Sequence, residues 1–181
     1  MIIYEPVFPA DILSFDLANL DSKSENFTFD YYLDYFLKNQ SHFFAAKLFG
    51  GQPHSPSHMI YTNPVVGYIF GKKELKEKLC LHLSALSVAP SYRKLKIGSK
   101  LMRLFEENGD SVNAWFSDLF VRESNAAAIL FYKKLGYELY RKIFSYYSYP
   151  AEDAFEMRKS LQKDVEKTCQ IRVKDVDTKE M

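Results

Sequence analysis

The segment "VAPSYRKLKIGSKLM", residues 88–102, constrains the fold and chemistry of this chain more than any other stretch. An apolar run typical of a strand stops at Pro90, and a pattern typical of a helix starts a few residues later. The turn and the following helix carry a glycine and a cluster of cations: Gly98, Arg93, Lys94, Lys96, Lys100 and Arg103. A helix N-terminus offers unpaired backbone N–H groups and a positive dipole end to phosphate. From these residues alone, a pyrophosphate cradle and a solvated basic helix face are equally favoured.

The composition indicates one folded domain that stays in a reducing compartment. The chain has 181 residues, of which 47% are hydrophobic, and this is enough for one domain with a core. Its net charge of +1 argues against broad nucleic-acid binding. Cys80 and Cys169 lie far apart and suggest no disulfide framework. No signal-peptide pattern and no apolar run near the ~20 residues of a membrane span is present, so we expect a soluble cytoplasmic protein that contacts no membrane.

The order of periodic segments predicts an α/β (α+β) domain with a mixed, mostly antiparallel central sheet flanked by helices. Strands are expected at 2–8, 42–50, 65–73, 79–90, 114–121 and 137–148, and helices at 9–20, 27–39, 97–107 and 124–136. Ser124 is expected to cap the last helix and Gly136 to end it. The segment 50–64 reads as a loop. A charged amphipathic pattern then predicts a helical extension, which divides the chain into a domain over 1–150 and a charged helix with a polar tail over 151–181.

Two segments together resemble the GCN5-related N-acetyltransferases (GNAT). "LSVAPSYRKLKIGSKLM" resembles the acetyl-CoA motif of this family, R/Q-x-x-G-x-G/A after a strand, with Arg93 and Gly98 at its first and last positions. "FVRESNAAAILFYKKLGY" resembles the next strand and helix of the family. Over residues 1–165, "NLDSKSENF", "LHLSALSVAP", "DLFVRESN" and "DAFEMRKSL" follow the order found in the catalytic subunits of the N-terminal acetyltransferase B (NatB) complex.

One residue of the acetyl-CoA motif departs from the family pattern. Lys96 stands where the motif usually has glycine, a residue that permits close backbone approach or positive φ. A lysine with negative φ still supplies its backbone N–H and adds a cation. We therefore predict an intact cradle whose backbone donors run from Leu95 to Ser99.

The resemblance implies the reaction, the cofactor and the partners. Acetyl would pass from acetyl-CoA to the N-terminal α-amine of nascent proteins that start with Met-Asp, Met-Glu, Met-Asn or Met-Gln. A large helical-repeat auxiliary subunit would dock the enzyme on the ribosome, and no metal or direct nucleic-acid binding is expected. The residues implied for the cofactor are Leu86, Val88, Arg93, Lys94, Leu95, Lys96, Ile97, Gly98, Ser99, Asn125 and Tyr132. Asn125 could instead simply cap its helix.

Three residues are candidates for the chemistry. The resemblance implies that Tyr132 assists the CoA thiolate, whereas its spacing alone favours a core aromatic on a helix. His82 could act as a base near neutral pH or be a hydrogen-bonded structural residue, and the sequence favours neither. Glu25 would face the α-amine, or it could be an ordinary helix N-terminal charge. Since a free α-amine has a pKa of ~7.7–8.0, modest help from His82, Glu25 or an ordered water would suffice.

The resemblance also implies a peptide groove. Glu25 and Phe27 would form one wall, with Phe27 at the pocket for the initiator Met. His82 and Ser84, next to Ala85 on the same strand, would supply donors for the second substrate residue.

Tyr146 and Tyr147 would close the opposite wall of this groove through their hydroxyl groups. Adjacent strand residues face opposite sides, so we expect only one of the two to contact substrate unless a bend intervenes.

Other functions fit parts of the same pattern. A related acetyltransferase could act on a small amine or a lysine, and a non-catalytic acyl-CoA-binding module or a nucleic-acid-binding module could use the basic turn. The Rossmann motif G-x-G-x-x-G is absent. Cys80 and His82 lack a second ligand pair at metal-binding spacing. The first two predicted helices carry more apolar residues than one buried face requires, which fits either a partner interface or a tight aromatic core.

Overall fold

The computed structural model describes residues 1–19, 27–49 and 63–180. Contacts between residues divide the chain into two compact units. The first unit consists of Met1–Lys72 and Ala85–Phe105, and the second of Lys73–Ser84 and Glu106–Met181. In the described part of the chain, no helix is long and apolar enough to cross a membrane.

The first unit combines an antiparallel sheet with an aromatic core. Its elements are β1 (Ile2–Pro6), a 3-10 helix (Pro9–Ser14), α1 (Phe29–Asn39), β2 (Phe43–Leu48), most of β3 (Val65–Leu75), the end of β4 (Leu79–Val88) and the start of α2 (Ile97–Ser111). The strands follow the order β1-β2-β3-β4. Thr28 starts α1 by accepting a hydrogen bond from the backbone N–H of Tyr31. The buried rings of α1, β2 and β3 then pack against one another, as Phe43 does when it stacks on Phe70 at 4.6 Å.

The second unit carries the rest of a mixed sheet. Its further elements are β5 (Phe116–Arg122), α3 (Ala126–Lys134), β6 (Glu138–Ser148), β7 (Ala151–Ser160) and β8 (Val176–Asp177). The strand order is β4-β5-β7-β6-β8. The β4–β5 and β6–β8 pairs are parallel, and the β5–β7 and β6–β7 pairs are antiparallel. Gly136 ends α3 with a φ of +92°, as the sequence predicts. The α/β class with a mixed, mostly antiparallel sheet flanked by helices is thus confirmed.

The prediction of a charged helix after residue 150 is wrong, because residues 151–160 form strand β7 between β5 and β6. The charges that suggested a solvated helix face are partly buried: Glu156 and Arg158 are 0% and 1% exposed and pair with each other. A buried ion pair between residues two apart fits a strand, where both side chains share one face.

Two other segments differ from the sequence prediction. The helix expected over 9–20 is reduced to the 3-10 turn Pro9–Ser14, in which Asp11 points inward and binds Lys47 at 2.6 Å. Both charged groups are nearly buried, so the opposite charge of each offsets the hydration that the other has lost. Most of the loop predicted at 50–64 lies outside the described residues.

Candidate active site

The basic turn lies between β4 and α2 in the first unit. A 3-10 turn at Pro90–Tyr92 follows the strand, and Arg93 Nε then donates to the carbonyl oxygen of Val88 at 3.1 Å. Helix α2 begins at Ile97, whose side chain is buried. Its first-turn N–H groups have no partner within the helix, as in any α-helix. The geometry therefore offers an anion the expected helix N-terminus, with exposed cations beside it.

The turn reaches α2 through two residues with left-handed backbone. Lys94 and Lys96 both have a φ of +63°, a conformation that costs residues other than glycine free energy. The negative φ that we expected at Lys96 is therefore absent, and the residue adopts a positive φ that glycine would tolerate without strain. Both lysine side chains are exposed, so the turn gains cations that a glycine would not provide.

The residues of the first unit that the sequence predicts for cofactor and substrate lie on β4 and around the aromatic core. Leu86 and Val88 are half-buried on β4. Phe27 stacks on Tyr31 with ring centroids 4.3 Å apart. Phe27 and Ala85 are both partly buried and pack against the same aromatic cluster. Glu25 lies outside the described residues.

In the second unit, His82 is paired with a carboxylate that the sequence analysis missed. Parallel pairing of β4 with β5 places Asp118 opposite His82, and His82 Nδ1 lies 3.0 Å from Asp118 Oδ1. Burial alone would raise the pKa of Asp118, but the hydrogen bond with His82 and the positive charge of Lys76 lower it to about 2. Asp118 is thus an ionised acceptor at neutral pH. An aspartate in the middle of the apolar run "AWFSDLFV" was the available signal.

A row of rings connects His82 to the two tyrosines of β6. The His82 ring lies 5.1 Å from Phe120, Phe120 lies 4.8 Å from Tyr146, and Tyr146 lies 5.0 Å from Tyr147. The register of β6 shifts between Ile143 and Tyr147, and Ser145 has a φ of +55°. This irregularity is the bend that allows both adjacent tyrosine rings to approach each other.

Arg122 holds the hairpin that carries these tyrosines. Its guanidinium lies 3.8 Å from the Tyr147 ring centroid and donates to the carbonyl oxygens of Tyr149 and Pro150. It also pairs with Glu152 at 3.4 Å. Neither Arg122 nor Phe120 was predictable from the sequence, because the residues that they contact are distant in the chain.

Tyr132 and Asn125 lie on α3. Asn125, rather than the predicted Ser124, caps this helix, since its side chain accepts from the backbone N–H of Ala128 at 3.2 Å. The ring of Tyr132 lies 5.9 Å from that of Tyr137. Burial raises the pKa of Tyr132 above its ordinary value, so its hydroxyl stays protonated at neutral pH. It therefore remains able to donate a hydrogen bond.

The remaining strand residues show no metal-binding arrangement. Cys80 is fully buried, and this burial raises the pKa of its thiol to about 12. Ser84 is half-buried on the same strand. Within the ranges that the structure describes, no group of three or more His, Cys, Asp or Glu residues could hold a metal ion.

Comparisons with known proteins find relatives of this chain. The model of the acetyltransferase (GNAT) family matches residues 13–137. The N-terminal acetyltransferase B complex catalytic subunit NAA20 of Arabidopsis thaliana is 40% identical over 91% of this chain and 88% of its own length. The crystal structure of Chaetomium thermophilum Naa20 with a bisubstrate analogue has a TM-score of 0.82 and 31% identity, covering 98% of this chain and 97% of that one. A structure of the NatB acetyltransferase complex bound to CoA and MES has a TM-score of 0.71 and 28% identity, covering 88% and 99% of the respective chains.

Proposed function

Because this chain belongs to the GNAT family of acetyltransferases, we propose that it transfers acetyl from acetyl-CoA to the N-terminal α-amine of proteins, as the catalytic subunit of a NatB complex. The observation that carries this proposal is the 40% identity to a NatB catalytic subunit over 91% of the chain. The geometry of the basic turn and of the His82 cluster supports the same reaction.

The basic turn suits the anionic part of acetyl-CoA. CoA carries a pyrophosphate and a 3′-phosphate, and the turn provides exposed cations beside the first N–H groups of α2. Leu86 and Val88 of β4 would offer backbone groups to the pantetheine arm. Asn125 caps α3 through its Oδ1, and its amide N–H groups would bond the pantetheine arm or order Tyr132.

The substrate amine requires little help to lose its proton. A free α-amine has a pKa of ~7.7–8.0, against ~10.4 for lysine, so the neutral form is more accessible by roughly 3–4 kcal/mol near neutral pH. His82 would accept the amine proton directly or through an ordered water. Glu25 stays a second candidate for this role.

Tyr132 would act on the leaving group. The amine attacks the thioester carbonyl, the carbon–sulfur bond breaks, and the CoA thiolate takes up a proton. Because burial raises the pKa of Tyr132, its hydroxyl stays protonated and would stabilise the thiolate by donating a hydrogen bond, while the proton taken from the amine returns to the sulfur.

The peptide groove would select substrates that begin with Met-Asp, Met-Glu, Met-Asn or Met-Gln. Phe27, on the rim of the aromatic cluster, would contact the initiator Met. His82 and Ser84 would bind the polar second side chain. The hydroxyls of Tyr146 and Tyr147 would bind the peptide backbone, and the irregularity of β6 before Tyr147 favours a contact by both residues rather than by one.

The partners follow from the same proposal. A large helical-repeat auxiliary subunit would bind the first unit, where Phe8, Leu13 and Leu37 are 61–62% exposed. Nascent chains on cytoplasmic ribosomes would be the substrates.

A peptide-panel assay tests this function. Purified protein, with and without the auxiliary subunit, is incubated with acetyl-CoA and with peptides that start Met-Asp, Met-Leu or Ser, or that contain only an internal lysine. Mass spectrometry should find α-amine acetylation of Met-Asp, at least tenfold faster than of the other peptides. Preferred acetylation of the internal lysine would contradict the proposal, and CoA binding without turnover would identify an acyl-CoA-binding module instead.

A further inference from the structure

The carboxylate behind His82 is held from two sides. Asp118 is fully buried, and each of its oxygens has a separate partner. Oδ1 lies 3.0 Å from His82 Nδ1, while Oδ2 accepts from Lys76 Nζ. Lys76 also lies over the ring of Phe120, which contacts His82 from another side. The imidazole is therefore fixed by a carboxylate at its Nδ1 edge and by an aromatic ring beside it.

Lys76 also belongs to a chain of ion pairs that links buried charges of β7 to Arg141 on β6 and to the half-exposed Glu77. Glu156 lies 3.9 Å from Lys76 and accepts from Arg141 Nε at 2.6 Å and from Arg158 Nε at 2.7 Å. Arg158 in turn pairs with the half-exposed Glu77. Since each buried charge has an opposite partner, Asp118 can stay ionised without solvent. Such a network resists rotation of any one side chain, because a rotated group would lose hydrogen bonds and opposite charges that buried surroundings cannot replace.

This arrangement determines which nitrogen of His82 carries the proton. An ionised carboxylate only accepts hydrogen bonds, so the nitrogen 3.0 Å from Asp118 must be the donor. The hydrogen bond with His82 and the charge of Lys76 outweigh burial and lower the pKa of Asp118, so it is ionised at neutral pH. The neutral ring then holds its proton on Nδ1 and presents a lone pair on Nε2. Nε2 is the nitrogen that can accept a proton from an amine or an ordered water.

We propose that Asp118, anchored by Lys76, is a positioning residue that holds His82 in the Nδ1–H tautomer, so that Nε2 accepts the proton of the substrate α-amine. The inference rests on the proposed function, because it assigns a partner to the base of that reaction. Asp118 is fully buried and its two oxygens bond His82 and Lys76, so it would act on the substrate through His82. It differs from a structural residue because its effect on turnover disappears when His82 is absent.

The tautomer can be measured without any turnover. In ¹⁵N-labelled protein at a pH where His82 is neutral, nitrogen–carbon-proton correlation spectra distinguish a protonated from an unprotonated ring nitrogen. We expect a protonated Nδ1 and an unprotonated Nε2 in the unmodified protein. A protonated Nε2 would overturn the proposal, whether or not the protein acetylates peptides.

Kinetics in two backgrounds test the positioning role. Asp118→Asn should lower kcat for a Met-Asp peptide about 100-fold while leaving KM for acetyl-CoA within twofold. In a His82→Gln background the same substitution should lower kcat by less than twofold. An equal loss in both backgrounds would show that Asp118 supports the fold rather than His82.

Glu156→Gln is the matched control, since it removes a buried charge of the same network without touching His82. It should destabilise the protein but preserve the Nδ1–H tautomer. If Asp118→Asn does not fold, the spectrum of the unmodified protein still decides the tautomer. A protein that shows the expected tautomer but acetylates no peptide would contradict the proposed function alone.

Discussion

Lys96 is a single residue whose backbone and side chain have opposite consequences. A φ of +63° costs lysine roughly 1–2 kcal/mol of folding stability relative to glycine. Glycine in turn lowers folding stability by about 0.4–1 kcal/mol, because the unfolded chain has more conformational freedom to lose. We expect Lys96→Gly to raise the free energy of unfolding by up to about 1.5 kcal/mol in urea titrations. It should also weaken CoA binding several-fold, because one cation is lost.

Lys96→Ala is the control for this prediction. Alanine removes the same charge but keeps the cost of positive φ, so it should weaken CoA binding equally and give no gain in stability. A sharp rise in CoA affinity for Lys96→Gly would instead show that the lysine impairs the cradle.

Substitutions at Tyr132 and Tyr137 distinguish an effect on turnover from an effect on stability. If its hydroxyl assists the leaving thiolate, Tyr132→Phe should lower kcat about 10²- to 10⁴-fold with a nearly unchanged KM for acetyl-CoA. Tyr137 is the matched comparison, because its hydroxyl donates to the buried Ser117 at 3.0 Å. Tyr137→Phe should cost about 1 kcal/mol of stability and leave kcat within a few-fold. Steady-state kinetics and thermal melts of both variants test this, and an unchanged kcat for Tyr132→Phe would remove Tyr132 from the mechanism.

Asp118 makes stability depend on pH in a defined direction. Its pKa is lowered to about 2 in the folded state, against ~3.9 in an unfolded chain. The unfolded chain therefore binds a proton first as pH falls. The stabilisation, roughly 2 kcal/mol, is complete above about pH 5 and is lost as pH falls towards 2. Urea unfolding between pH 6 and 3 should show a smaller loss of stability for Asp118→Asn than for the unmodified protein. Asp34→Asn, which changes an exposed carboxylate, should follow the unmodified protein.

At the scale of elements, strand β7 shows what a local pattern cannot predict. Its charges suggested a solvated helix because the sequence does not reveal that Glu156 and Arg158 bind residues as distant as Arg141 and Glu77. The basic turn, α2 and α3 were predictable, because their signals are local: a proline, a cation cluster and apolar positions at helical spacing. The same limit applies to the site, where the basic turn was predicted from local signals but Asp118 was missed.

The buried ion pair of β7 gives a prediction for this element. Arg158→Ala should lower the free energy of unfolding by about 3–5 kcal/mol, because Glu156 is then buried with one compensating partner fewer. The exposed pair of Lys38 and Asp34, at 2.7 Å on α1, is the control. Lys38→Ala should cost less than about 0.5 kcal/mol. Comparable losses in urea titrations would show that burial does not decide the strength of these pairs.

For the molecule as a whole, the exposed apolar residues of the first unit predict where the auxiliary subunit binds. Phe8 and Leu37 are both about 60% exposed. They line one open pocket with a volume of about 740 Å³. If the auxiliary subunit binds there, Leu37→Lys should weaken association more than tenfold, because a charge would enter an apolar contact. An exposed helix position tolerates this change within about 0.5 kcal/mol, so the isolated chain should melt normally. Leu75→Lys, at an 81% exposed position in the second unit, is the control for added charge. Co-purification and titration with the auxiliary subunit measure the effect, and equal binding by both variants would move the interface elsewhere.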